Sequence, residues 1–302
     1  MAQNAASDTT ESSSPVRSLI AVAVCILLGA GLAAAGSAGG LQAGPVSAFA
    51  LGVVVAFAIN WIAYVPAVIN RTERFYDLTG TASFLAVALV GLMYGNGSVR
   101  AFALAAMVAI WTLRLGVFLF SRIRAEGSDT RFDAIKTDPA RFLLTWTLQG
   151  LWVAITIGAA LAAMTATDPP GADVWLVLGA AVWLAGFAIE AVADAQKRRF
   201  RADPANEGRF IDTGLWAWSR HPNYFGEILL WIGVAIAAAP ALRGWQLVTL
   251  VSPVFVTLLL TRVSGIPMLE ARGLRRWGDD PAYRRHVAQT PVLIPRPPRR
   301  TG

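Results

Sequence analysis

Apolar residues run through this chain in blocks of about twenty, the length an α-helix needs to cross a hydrocarbon core some 30 Å thick. Eight blocks stand out: Leu19 to Gly39, Val46 to Ile69, Leu78 to Tyr94, Ala101 to Phe120, Phe142 to Met164, Val174 to Ala193, Tyr224 to Leu242 and Trp245 to Thr261. The third, seventh and eighth are short or carry Gly and Pro, so their edges are the least defined. Inside lipid the backbone must satisfy its own hydrogen bonds, so blocks of this length predict helices. The fold class expected is therefore an all-α polytopic transmembrane helix bundle of about eight spans.

The cations test that division. Residues before and between the blocks on one side, with the segment after the last, hold 23 of the 26 Lys and Arg. The other side holds two, Arg100 and Arg243, and Arg114 lies within a span. Positive charge marks cytoplasmic loops, so both termini are expected in the cytoplasm; an odd number of spans would destroy the asymmetry. A bacterial cell would carry such a chain in its inner membrane.

Composition agrees: 55% of the 302 residues are hydrophobic and 15% charged, with a mean hydropathy of +0.52. The net charge of +7 is accounted for by topology and not by nucleic acid, which is excluded as a partner. A single cysteine, Cys25, forbids an intrachain disulfide or thiolate cluster, and His221 and His286 are too few for a histidine metal site. No metal is expected. Residues 1–17 are polar and lack a basic start, which argues against a secretory signal and predicts a disordered tail. Residues 18–295 form the membrane domain and 296–302 a basic C-terminal tail. In the first block, Gly36 and Gly40 have the small-xxx-small spacing of close helix contacts. Gly29, Gly31 and Ala34 match a dinucleotide fingerprint by accident, since no strand precedes them.

Ionisable residues at membrane depth are costly and signal function. Arg114, Glu190, Glu227 and Arg262 are of this kind. Glu190 and Asp194 are spaced i,i+4, and Arg198 and Arg201 continue the series, so one helix face offers two carboxylates and then two guanidiniums. Such a face suits a hydroxyl-bearing polyanion, because carboxylates accept from hydroxyl or amide groups while Arg grips phosphate oxygens. The next polar segment, Arg220, His221, Pro222, Asn223, Tyr224 and, after Phe225 and Gly226, Glu227, crowds polar chemistry at a membrane entrance. Pro222 suits the first turn of the following helix, whose N-terminal donors can face an anion.

The stretch LWAWSRHPNYFGE (Leu215 to Glu227), preceded by IEAVADAQKRRFR (Ile189 to Arg201) and followed by the tail from Ser264 to Pro295, resembles the steroid 5-alpha-reductase-like integral membrane proteins. It is most similar to their bacterial branch, which has a domain of unassigned function. Weaker likeness covers Val65 to Gly80 and Trp111 to Ile123. The resemblance implies NADPH held on the cytoplasmic side by a cofactor half of about residues 183–295, and reduction of an activated carbon–carbon double bond on a sterol-like, isoprenoid or enoyl lipid entering from the bilayer. By the same resemblance Asp194, Arg201, Arg209, Arg220, Asn223 and Arg262 would hold the cofactor, with Glu270 and Tyr283 closing over it. Glu190, Arg198, His221, Tyr224 and Glu227 join them from the residue pattern. At the catalytic end the chain departs from the steroid enzymes: Tyr64 stands where they carry an acid and Trp111 where they carry a tyrosine, leaving Tyr64 and Asp77 as the candidate proton donors.

Two rival readings remain. The same Arg-His-Pro-x-Tyr core occurs in S-adenosylmethionine-dependent membrane methyltransferases acting on isoprenylcysteine or phospholipid. Those place two glutamates four and five residues after the arginine of the last span, where this chain has Ile266 and Pro267. The other rival is a lipid-binding membrane protein without catalysis.

Overall fold

The computed structural model describes residues 15–126 and 132–298, and the side chains of these except 118–126. The N-terminal tail up to residue 14 and the last four residues of the C-terminal tail lie outside the described residues, as does part of the loop after the fourth span. Pro15, Val16 and Arg17 already belong to the first helix.

Eight helices are long and apolar enough to cross a membrane among the described residues. They are α1 (Pro15–Gly36), α2 (Ala48–Ile69), α3 (Tyr76–Met93), α4 (Val99–Glu126), α5 (Pro139–Met164), α6 (Val174–Ala202), α7 (Pro222–Ala238) and the segment Gly244–Trp277. That last segment is broken. A 3-10 stretch Gly244–Val251 leads into α8 (Ser252–Leu258), a π turn Leu259–Val263 and then α9 (Gly265–Trp277). A short α10 (Pro281–Gln289) completes the order. The only sheet among the described residues is a two-residue hairpin pairing Gln42–Ala43 with Val46–Ser47.

α5 is the central post, touching α1, α2, α3, α4, α7 and α8. Every residue from Ile157 to Met164 is buried, and the run GAALAA within it is small enough to let neighbours close in from all sides. α6 and α7 form the closest helix pair. Gly179 and Gly186 of α6 interlock with Gly226 and Gly233 of α7, each pair two turns apart. A methyl group on Gly186 would lie 2.5 Å from the Leu230 nitrogen, and one on Gly226 would lie 2.6 Å from the Glu190 nitrogen. Backbone therefore meets backbone, and this contact fixes Glu190 against the start of α7.

The small-residue spacing in α1 works differently from the expectation. The helix ends at Gly36, and Gly39 takes a positive φ of 69°, so Gly40 lies past the end and cannot share a helix face with Gly36. The glycines that admit neighbours are Gly29, against the Phe57 ring, and Gly36, against the Phe49 ring. The fingerprint-like run is thus helix packing.

Arg100 and Arg243, at the cation-poor end, have local structural roles. Arg100 is fully buried, pairs with Asp173 at 2.8 Å, and donates to the carbonyls of Gly171 at 3.1 Å and of Ala237. It thereby fastens the start of α4 to the α5–α6 loop and the end of α7. Arg243 donates to Pro240 O at 2.7 Å and Leu242 O at 2.9 Å.

Candidate functional site

At the cation-rich end, α6 continues beyond its apolar block to Ala202, and the chain then crosses a loop to the signature segment. Three ties bring that segment back onto α6 and the tail. Trp216 Nε1 donates to Ala193 O at 3.0 Å, Leu215 N donates to Gln196 Oε1 at 2.9 Å, and Ser219 Oγ donates to Leu293 O at 2.8 Å. Gly214 turns the chain with φ 60°, where a side chain would be strained and a Cβ would lie 2.6 Å from Gln196 Oε1. The tail runs alongside: Arg220 N donates to Pro291 O and Arg296 N to Trp218 O, both at 2.9 Å. Trp277 Nε1 donates to Gly208 O at 2.5 Å and holds the loop after α6 to the end of α9.

These ties enclose a cavity of about 720 Å³ between the end of α6, the following loop, α9 and α10. Its volume is in the ordinary range for cofactor sites, roughly 300 to 1,000 Å³. Six cations line it, Lys197, Arg201, Arg209, Arg220, Arg272 and Arg276, against three acids, Asp203, Glu207 and Glu270. One wall is aromatic. Phe210 packs on Tyr283 at 5.2 Å and His286 at 5.5 Å, with Trp277 at 6.2 Å, and Arg276 lies 5.0 Å over the Trp277 ring. Burial lowers the pKa of His286 below the usual 6.5, and burial with the nearby Glu270 charge raises that of Tyr283 above 10.0.

Of the residues expected to hold a cofactor, Arg201, Arg209, Arg220, His221, Glu270 and Tyr283 share this cavity. Glu270 accepts from Arg220 at 2.5 Å and is 2.8 Å from His221 Nε2, so it draws the signature pair toward α9. His221 also stacks on Tyr224, with centroids 5.7 Å apart, while Tyr224 itself faces the core. Asn223, Tyr224, Arg198 and Arg262 do not line the cavity, and Arg198 and Arg262 are exposed. Helical geometry explains Arg198. At about 100° per residue, positions seven and eleven after Glu190 return to within about 20° of it, whereas position eight is turned by about 80°. The continuous face is Glu190, Asp194, Lys197 and Arg201, and the 3.6-residue period alone would have found Lys197. Arg272 and Arg276, spaced i,i+4 on the polar face of α9, were legible by the same rule. Phe210 carries no sequence signal, since only the fold of the loop brings it to the wall.

Glu190 and Asp194 lie deeper, both buried, and both bind Arg114 of α4. The Asp194 contact is 3.0 Å, and Glu190 makes a closer one. Glu227 at the start of α7 is near enough to feel the charges of Asp194 and Arg114. The proposed donors are not brought together. Tyr64 donates to Pro139 O at 3.1 Å and packs on Phe142. Asp77 instead lines a separate hollow of about 40 Å³ with Thr81, Trp111, Thr112 and Gln149. That hollow is water-sized and not lipid-sized.

The family profile described as a protein of unknown function, DUF1295, matches residues 63–290. The chain belongs to this family. DUF1295 is a steroid 5-alpha-reductase-like family of membrane proteins. An uncharacterized protein of Schizosaccharomyces pombe is 22% identical over 233 residues, covering 66% of this chain and 68% of its own length. No solved structure matches. The matched region takes in α3 to α10 and every cavity-lining residue, so the cavity belongs to the part of the chain that defines the DUF1295 family.

Proposed function

We propose that this DUF1295 chain is an NADPH-dependent membrane reductase acting on an activated carbon–carbon double bond of a hydrophobic substrate. The observation that carries the reading is the cation surplus of the 720 Å³ cavity, six basic side chains against three acidic ones, beside an aromatic wall. A cofactor with three phosphate groups fits such a donor set, because each guanidinium can hold phosphate oxygens in a bidentate manner. Phe210 and Trp277 offer flat faces for a base, and Arg201, Arg209, Arg272 and Arg276 offer charge for phosphates. S-adenosylmethionine has no phosphate, and its positive sulfonium would be repelled by the same surplus.

When bound, a dihydronicotinamide supplies hydride. The chain's own part is to grip, orient and keep water away. Glu270 holds Arg220 and His221 in place at the mouth of α7, and the α9–α10 unit covers the cavity from outside the bundle. The cation-rich end faces the cytoplasm on this reading, where NADPH is available. The candidate donors on this reading are Asp77, in its small hollow, and Tyr64, whose hydroxyl donates to Pro139 O. The substrate partner would arrive from the membrane lipids, past the apolar outer faces of the bundle.

The test is heat protection of purified full-length protein, because a ligand stabilises the fold it binds. NADPH is expected to raise the melting temperature and S-adenosylmethionine to leave it unchanged. The opposite selectivity would overturn the proposal in favour of a methyltransferase. NADPH oxidation with candidate lipids then separates an enzyme from a lipid-binding protein that retains the cavity.

A further inference from the structure

The carboxylates deeper in the bundle have no place in a phosphate grip. Glu190 and Asp194 are 3% and 7% exposed, and both lean on the Arg114 guanidinium. From α7, Glu227 lies within range of the same group's charge. From the cavity side Lys197, one turn along α6, interacts with Asp194. Among the described residues whose charges act directly on these acids, Arg114 and Lys197 against Glu190, Asp194 and Glu227 sum to 2 − 3 = −1 with every group ionised, Arg201 lying one turn beyond Lys197 at the cavity. An uncompensated charge in so buried a setting is expensive, and taking up one proton removes it.

A second observation points the same way. The Glu190 Oε2 atom is buried with no hydrogen-bond partner. The Trp111 indole, 1% exposed, turns its N–H toward Glu190 without closing a full hydrogen bond. A lone anionic oxygen in that position would be poorly solvated, whereas a carboxylic acid needs less. Trp111 also lines the small hollow that holds Asp77 and Thr112. The acids are thus linked to the polar cavity through Lys197 and to a water-sized hollow through Trp111.

We propose that Glu190 and Glu227 together hold one exchangeable proton at membrane depth, with Arg114 and Asp194 setting the charge that keeps it there. Giving the proton to an acceptor leaves one further carboxylate in the cluster. A proton returning from the cavity side by way of Asp194 restores the acid, and no electrons move in the exchange. The role of that proton rests on the reductase reading, since saturating a double bond takes one proton for each hydride. The store itself does not depend on that reading.

Dicyclohexylcarbodiimide, which modifies protonated carboxyl groups in apolar surroundings, tests this on the full-length protein in lipid nanodiscs. Peptide mass spectrometry is expected to find about one adduct per chain at pH 7, on Glu190 or Glu227, and fewer adducts at alkaline pH. Glu227→Gln brings the sum to 2 − 2 = 0 by removing one of the three acids, so it should lower labelling of Glu190 at least tenfold instead of redirecting label to it. Absence of label on both glutamates of the wild type would overturn the store, as would undiminished Glu190 labelling in the variant. The wild-type pH series needs no variant to fold. Heat protection by NADPH is read separately: label without protection sinks the reductase and spares the store, and protection without label does the reverse.

Discussion

Substituting Gly226 by Ala probes the joint on which the buried acids depend. A Cβ there would lie 2.6 Å from both Glu190 N and Gly186 O, and 2.9 Å from Glu190 Cβ. Ordinary contact begins near 3.4 Å, so α6 and α7 must part locally by about 3.4 − 2.6 = 0.8 Å. Overpacking costs about 1 to 3 kcal/mol, and the upper end applies because the opposing atoms are backbone and cannot turn aside. Ala gains about 1 kcal/mol over Gly in a helix, so the net expected loss is about 2 kcal/mol. The matched control is Gly31→Ala in α1, where nothing lies within 4 Å of the new methyl group and only the propensity gain remains. Unfolding in mixed detergent micelles titrated with dodecyl sulfate, followed by tryptophan fluorescence, should rank Gly31→Ala above wild type and Gly226→Ala well below it. Equal stability of the two variants would refute backbone-level packing between α6 and α7.

Other outcomes follow from the same geometry. Replacing Arg209 or Arg276 by Ala should weaken NADPH binding in detergent titrations by about 1.5 to 3 kcal/mol if each makes one charge-assisted hydrogen bond; unchanged affinity in both would remove the cavity assignment. Arg100→Gln removes a fully buried guanidinium that ties Asp173 to the carbonyls of Gly171 and Ala237, and should destabilise far more than Arg243→Gln in the same unfolding assay. Burial lowers the pKa of His286 in the folded chain from 6.5, so the unfolded chain binds more protons between the folded value and about 6.5. Stability should therefore be full above that window and fall as pH drops through it. His286→Gln should flatten that part of the stability curve, and an unchanged curve would contradict the burial.

The number of membrane helices was legible because each must be apolar for about twenty residues whatever it packs against. Arg201 and Arg220 were legible because charge at a membrane boundary is conspicuous in an apolar sequence, whereas Arg209 and Glu270 entered only through the family resemblance. Helix period could also have separated Lys197 from Arg198. Sequence could not show that Glu270 would pair with Arg220 and His221, or that Phe210 would meet Tyr283, because those contacts join residues brought together only when α9 and α10 fold back over the loop. Nor could it show that Arg114 would face two acids on another helix. Hydropathy is a property of each residue and survives in the unfolded string. Pairing across helices depends on their rotation and approach, which the interlocked glycines of α6 and α7 set only in the packed bundle.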